Sequence, residues 1–211
     1  MLTFTSMMEL FDHPTYSTQN LLPKDGVVLF YPDVLSEIQC HEYFKELMEQ
    51  IEWRHDEAVI YGKKIVTRRK VAWYGEEPFA YTYSRITKTA LYWTPALQEL
   101  KAIVEKVSGE TYNSCLLNLY HNGTEGMAWH SDGEAELKKN GAIASLSLGA
   151  ERKFSFRHKL TKEKVDLILP NGSLLVMKDV TQSFWQHSLP VSKRVQQARI
   201  NLTFRTIDLN P

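Results

Sequence analysis

The sequence predicts a mostly β domain with flanking helices, an α+β fold whose core is an antiparallel barrel or two-sheet jelly roll. Three observations lead there. Two segments in the first half carry apolar residues at helical spacing, most of the remainder alternates with a period of two, and 211 residues, 43% of them hydrophobic, suffice for one domain with a sizeable core. Residues 1–25 read as an N-terminal extension and 26–211 as the single domain. Ser36 followed by Gln39 forms a capping-box pattern, after which Cys40, Tyr43, Phe44, Leu47, Met48 and Ile51 recur along one helical stripe. A second helix starts at Thr94 with Pro95 in its first position, turns Leu97, Leu100, Val104 and Val107 inward and stops before Gly109. Alternation then predicts strands at 116–120, 143–148, 153–157, 165–169, 173–177 and 199–206, with Asn171-Gly172 as a hairpin turn.

The formal net charge is zero, which excludes a protein that holds nucleic acid by bulk electrostatics and requires any basic footprint to be local. Lys63, Lys64, Arg68, Arg69 and Lys70 form the densest cluster, Arg157, His158 and Lys159 a second, and Lys193 with Arg194 a third. Each taken alone has the composition of a solvated face. The start of the chain shows no basic segment followed by an apolar run, and no stretch approaches a membrane span. A cytoplasmic protein, nuclear if the source is eukaryotic, with no membrane partner and a monomeric state, is the expectation. Cys40 and Cys115 sit in apolar segments without metal-type spacing and read as reduced core thiols.

The chemistry lies downstream. In Arg199-Ile-Asn-Leu-Thr-Phe-Arg205, alternation puts Arg199, Asn201, Thr203 and Arg205 on one strand face and Ile200, Leu202 and Phe204 on the other. The segment is open to two readings: a solvated edge strand, or two guanidinium forks arranged to hold a molecule with two carboxylates. Upstream, His130 and Asp132 are two apart and point the same way from an extended segment, and His187 offers a second imidazole. Two imidazoles and one carboxylate are the ligand set of the facial triad, which leaves three positions on an octahedral iron(II) for a bidentate cosubstrate and dioxygen. An HxD pair alone is weak; in the order HxD, His, double-Arg strand it becomes specific. His121 and His158 lack a carboxylate at suitable spacing and stay outside the metal site.

These residues resemble the AlkB family of iron(II)- and 2-oxoglutarate-dependent dioxygenases over nearly the whole chain, from about Val28 to Ile207. Asn118-Leu-Tyr120 looks like the family's NxY cosubstrate element, His130, Asp132 and His187 match its iron ligands, and RINLTFR matches its RxNxTxR signature without departure. The stretch from Tyr61-Gly62-Lys63 through Arg69-Lys70, Tyr74-Gly75 and Tyr81-Thr-Tyr-Ser84 is similar to the nucleic-acid-facing region of the animal homologues that repair DNA. The resemblance implies a double-stranded β-helix (jelly roll, cupin-like) core over about 112–207, a nucleotide-recognition lid over about 54–90, and Fe(II), 2-oxoglutarate and O2 as cofactor and cosubstrates. It implies Arg199 with Tyr120 at the distal carboxylate, Arg205 at the metal-proximal end, and neutral hydrogen bonds from Asn118, Asn201 and Thr203, the last two equally readable as supports that orient ligands.

The implied reaction hydroxylates a methyl group on a base nitrogen of DNA, single- or double-stranded, and releases formaldehyde, succinate and CO2. A methyl group on the pairing edge is reached only when the base leaves the stack. By the resemblance, Tyr83 stacks on the flipped base with the His130 imidazole as the other wall, Tyr81 and Ser84 stand nearby, and Glu134 accepts from an exocyclic amine. Gly133 departs from an acidic residue that a close animal relative carries. Tyr61, before Gly62 and Lys63, reads either as a wedge into the gap or as a hairpin-tip tyrosine packed on its own sheet. Arg69 and Arg157 read as phosphate contacts, which position without specifying sequence, and Trp129 and Trp185 as core packing. An RNA demethylase or a protein-directed dioxygenase of the same fold is the rival within the enzyme class; a silent nucleic-acid-binding module is the rival outside it.

Overall fold

In the computed structural model, which describes residues 19–60, 63–83 and 86–208, the chain runs from β1 (Val27–Tyr31) into α1 (Glu37–Gln50), then through β2 (Arg54–Ile60), β3 (Lys63–Gly75), β4 (Ala80–Tyr83), β5 (Ile86–Thr89) and β6 (Leu91–Tyr92) to α2 (Pro95–Ser108). The second half is β7 (Ser114–Tyr120), β8 (Met127–His130), β9 (Ile143–Gly149), β10 (Arg152–His158), β11 (Lys164–Leu169), β12 (Leu174–Lys178), the single turn α3 (Thr181–Phe184), β13 (Trp185–Leu189) and β14 (Arg199–Arg205). Both long helices begin as expected. Ser36 and Gln39 close a reciprocal capping box, and Thr94 caps α2 ahead of Pro95. Gly109, at φ 70°, ends α2 in the left-handed conformation that costs glycine nothing.

The strands form a major sheet in the order β1-β12-β9-β14-β7-β3-β2, with β6 beside β3, and a minor sheet in the order β11-β10-β13-β8, while β4 and β5 pair with each other. Ladders within the two large sheets are antiparallel apart from β3 with β6. This is the jelly roll anticipated from the alternation. The pleat divides each major-sheet strand between two compartments. Leu117, Leu119, Leu146, Leu148, Leu202 and Phe204 turn outward into the core under α1 and α2. Ile143, Leu175 and Met177 turn inward and meet Phe154, Phe156 and Trp185 of the minor sheet. The inner compartment is therefore apolar at one end, and its polar end holds the site.

Two expectations need correction, one open reading is decided and one boundary is refined. Asn171-Gly172 is a turn but not a hairpin turn, because β11 pairs with β10 in the minor sheet and β12 with β1 and β9 in the major. The chain crosses between sheets there, and Gly172 is held at φ 77° with a Cβ position 2.8 Å from Cys40 Sγ and 2.9 Å from the Leu35 carbonyl. Met48 does not join the buried stripe of α1 and stays 38% exposed. β14 is not a solvated edge: it lies between β7 and β9, with Arg199 2% exposed. Part of the supposed extension is docked as well, since Trp185 Nε1 donates to the Lys24 carbonyl at 3.0 Å.

Candidate metal and cosubstrate site

His130 and His187 face each other as cross-strand partners at the join of β8 and β13, with ring centroids 4.2 Å apart. Asp132 lies just beyond the end of β8, where the Gln182 side-chain oxygen of α3 accepts from its backbone N–H at 2.9 Å. The three residues offer ligand atoms within 4.8 Å of one another. His130 Nδ1 donates to the Ala128 carbonyl at 2.8 Å, which turns Nε2 toward the Asp132 carboxylate. Asp132 Oδ1 is 3.7 Å from His130 Nε2 and 3.9 Å from His187 Nε2, while Oδ2 takes Arg205 Nη2 at 3.1 Å. One oxygen thus faces the imidazoles and the other is anchored.

The electrostatics suit a divalent cation. Burial pushes the Asp132 carboxyl up, but the Arg205 guanidinium and the two imidazoles more than offset it and hold the group below the usual carboxylate range. Burial pushes His187 down to about 4 against the opposing pull of Asp132, so the imidazole is neutral and free to ligate at neutral pH. Phe154 stacks on it at 5.5 Å and sets its plane.

Beside this trio lies a cavity of ≈ 620 Å³ between the sheets. On the major-sheet wall, Arg199 Nη2 donates to Ser147 Oγ at 2.9 Å and its guanidinium stands 5.7 Å from the Tyr120 ring centre. Its Nε has no partner, and no described carboxylate pairs with it. A buried cation without a counter-ion is costly in isolation and fits the end of a dicarboxylate. The Oδ1 of Asn118 is likewise buried without a partner. Asn201, opposite Asn118 across the ladder, donates to Ser145 Oγ at 2.7 Å and accepts from Thr203 Oγ1 at 3.2 Å, so both are engaged with protein groups along the wall. Ser145 and Ser147 complete this wall, and the sequence signal for them is small hydroxyls at alternate positions of the otherwise apolar IASLSLG. Gln182, Phe154 and Asp56 left no such pattern.

The residues expected at substrate divide. Glu134 lines the cavity and accepts from Arg205 Nη1 at 3.3 Å. Arg69 also lines it but is buried in an ion pair with Asp56 and donates to Met127 Sδ, so it is not presented to a backbone phosphate. The bulge in β2 between His55 and Glu57 accompanies that pairing. Arg157 is on the outer face of the minor sheet, bonded to Gln186 and 4.4 Å from the centre of the Trp129 ring, outside the cavity. Trp129 is accordingly a half-buried platform for a cation and not core, whereas Trp185 is core. Lys63 opens β3 and Tyr81 and Tyr83 lie on β4 as backbone positions; Tyr61, Gly62 and Ser84 fall outside the described residues.

Comparison with known proteins gives a consistent result. Residues 27–205 match the 2OG-Fe(II) oxygenase superfamily. The DNA oxidative demethylase ALKBH2 of Mus musculus is 38% identical over 197 residues, covering 88% of this chain and 82% of the relative. The human protein of the same name is 37% identical over 87% of this chain and 74% of its own. The human alpha-ketoglutarate-dependent dioxygenase alkB homolog 3 is also 37% identical, covering 87% and 67%. Among solved structures, that of OsALKBH1 superposes with a TM-score of 0.60 over 88% of this chain and 98% of its own at 14% identity, a likeness of fold.

Proposed function

The chain belongs to the 2OG-Fe(II) oxygenase superfamily and, within it, to the AlkB homologues, and from that premise we propose that it is an oxidative demethylase repairing N-alkylated bases of the 1-methyladenine and 3-methylcytosine type in DNA. It is a dioxygenase that uses Fe(II), 2-oxoglutarate and O2, and His130, Asp132 and His187 are the residues suited to the iron. The observation that supports the substrate class is Glu134, a carboxylate on the cavity wall held by Arg205 at 3.3 Å beside the metal trio, where it can accept from the exocyclic amine of an alkylated adenine or cytosine. Alkylation at adenine N1 or cytosine N3 leaves the base cationic, and a carboxylate beside such a ring favours it over the neutral base.

Iron held by His130, Asp132 and His187, with 2-oxoglutarate and O2, would supply the oxidation that turns an N-methyl group into a hydroxymethyl group lost as formaldehyde, with succinate and CO2 as the other products. The chain does the positioning. Arg199 and Tyr120 orient the distal carboxylate, Arg205 holds the Asp132 oxygen that faces away from the imidazoles, and Phe154 fixes His187. Glu134, anchored by Arg205, accepts from the exocyclic amine of the flipped base, with the His130 ring as one wall. The carbon under attack is thereby held beside the metal while apolar neighbours limit water.

The test is formaldehyde release from oligonucleotides carrying 1-methyladenine or 3-methylcytosine, as single-stranded DNA, duplex DNA and RNA, for wild type and Asp132→Ala. Release on DNA that disappears in the variant is expected. No release on any of the three, with succinate still formed slowly from 2-oxoglutarate alone, overturns base repair; release confined to RNA overturns the DNA assignment.

A further inference from the structure

Arg152 is among the largest fully buried side chains, at 1% exposure, yet the metal site, the Arg199 face and the cavity lining do not include it. Its guanidinium donates to four backbone carbonyls, those of Asn122 (3.4 Å), Gly123 (3.5 Å), Glu125 (2.9 Å) and Pro190 (2.9 Å). It therefore gathers the β7–β8 turn and the segment after β13 into one corner. Neutral carbonyls satisfy its donors without neutralising its charge, and its Nε has no partner. The nearest carboxylate influence is Glu125, whose oxygens are occupied in accepting from the His121 backbone and ring.

That uncancelled charge is placed with purpose. Arg152 Cζ lies 5.9 Å from the Tyr120 ring centre, and Arg199 Cζ lies 5.7 Å from the same centre. Tyr120 is Arg199's partner across the β7–β14 ladder, so one phenol ring has a guanidinium from each sheet over it. The two cations feel each other: burial foremost, and Arg152 in addition, pull Arg199 down to about 10. Two buried like charges with one intervening ring raise each other's cost in the empty pocket, and both costs fall when a dianion arrives.

We infer that Arg152 is a positioning residue for 2-oxoglutarate: a second cation behind Tyr120 that attracts the distal carboxylate through space while its carbonyl clamp holds the corner in which that carboxylate is read. This rests on the family's cosubstrate and not on base repair, so it is tested by binding without any nucleic acid. The protein is loaded with Zn(II), and dissociation constants for 2-oxoglutarate and for pyruvate, which has the keto acid end but no distal carboxylate, are measured by calorimetry for wild type, Arg152→Gln, Arg152→Lys and Glu125→Gln. For 2-oxoglutarate, Arg152→Gln weakens binding about tenfold, as expected for one unit charge lost in a medium of effective dielectric about 20. Arg152→Lys keeps the charge and stays within about threefold of wild type, though less stable. Glu125→Gln, which leaves Arg152 in place and removes an opposing charge, tightens 2-oxoglutarate about twofold. Pyruvate is bound alike by all four. Equal weakening of both acids in Arg152→Gln reduces Arg152 to a structural clamp and overturns the inference, as does an unchanged ratio in Glu125→Gln, which decides the matter should Arg152→Gln fail to fold.

Discussion

Replacing Arg199 with Met should make the protein more stable and a far weaker binder of its cosubstrate. Arg199 is 2% exposed, has Ser147 as its hydrogen-bond acceptor, has no described acidic partner, and burial holds its pKa down at about 10. A depression of that size corresponds to roughly 3 kcal/mol spent on keeping the guanidinium charged in the empty site. Met matches the length of the aliphatic stem and needs no partner, and losing the Ser147 hydrogen bond returns about 1 kcal/mol. The net gain is about 2 kcal/mol, or about 4 to 8 °C in Tm for a chain of this size. Because the folded-state pKa lies below the unfolded one, the penalty is fully present below about pH 10 and is relieved only as pH rises above it, so the gain is constant between pH 6 and 9. The assay is thermal unfolding of both proteins in EDTA, with Zn(II) alone, and with Zn(II) and saturating 2-oxoglutarate. Added 2-oxoglutarate should raise the Zn(II)-loaded wild type by about 3 kcal/mol at a hundredfold excess over its Kd and the Zn(II)-loaded variant far less. A variant less stable than wild type in EDTA refutes the view of Arg199 as a cation awaiting its anion.

Two further outcomes follow from local geometry. Gly172→Ala forces a side chain into the left-handed region and onto Cys40 Sγ and the Leu35 carbonyl, costing about 3 kcal/mol by urea unfolding, with formaldehyde release per folded molecule unchanged. Asp56→Asn keeps an acceptor for Arg69 but removes its counter-charge, so stability should fall by about 1 to 2 kcal/mol, less than for deletion of a buried partner outright; no loss in urea unfolding would mean that Arg69 is charge-balanced elsewhere.

Much of this architecture was legible because it is written in short-range patterns. Capping residues stand within three positions of the helix starts they specify, and the period of two in RINLTFR is the same whether the strand is central or at an edge. What the period does not carry is which strands become neighbours. Asn171-Gly172 has the local chemistry of a hairpin, and only the pairing of β11 and β12 with different sheets makes it a crossing. The metal trio was readable from residue types and order. The charge of Arg69 suggests a phosphate in the sequence, whereas in the fold Asp56, 13 positions away across a bulged ladder, pairs with it inside the cavity. Arg152 escaped notice since a lone basic residue in a strand has no sequence signature of burial, and its acceptors are main-chain carbonyls that any residues could supply.

The division of the site between the sheets has a mechanical meaning. The minor sheet and its flanks carry the residues suited to the metal and the major sheet carries the arginines proposed for the cosubstrate, with Arg205 to Asp132 as the brace between them. The distance separating the sheets then sets how the two halves align, and it is held by what fills the space, Phe154 and Met177 among them. A change in the bulk of those fillers can leave each half of the machine with its own ligand intact and still misalign the halves. Such an enzyme would consume 2-oxoglutarate without delivering oxidation to the base, failing as a loose caliper fails, in coupling and not in affinity.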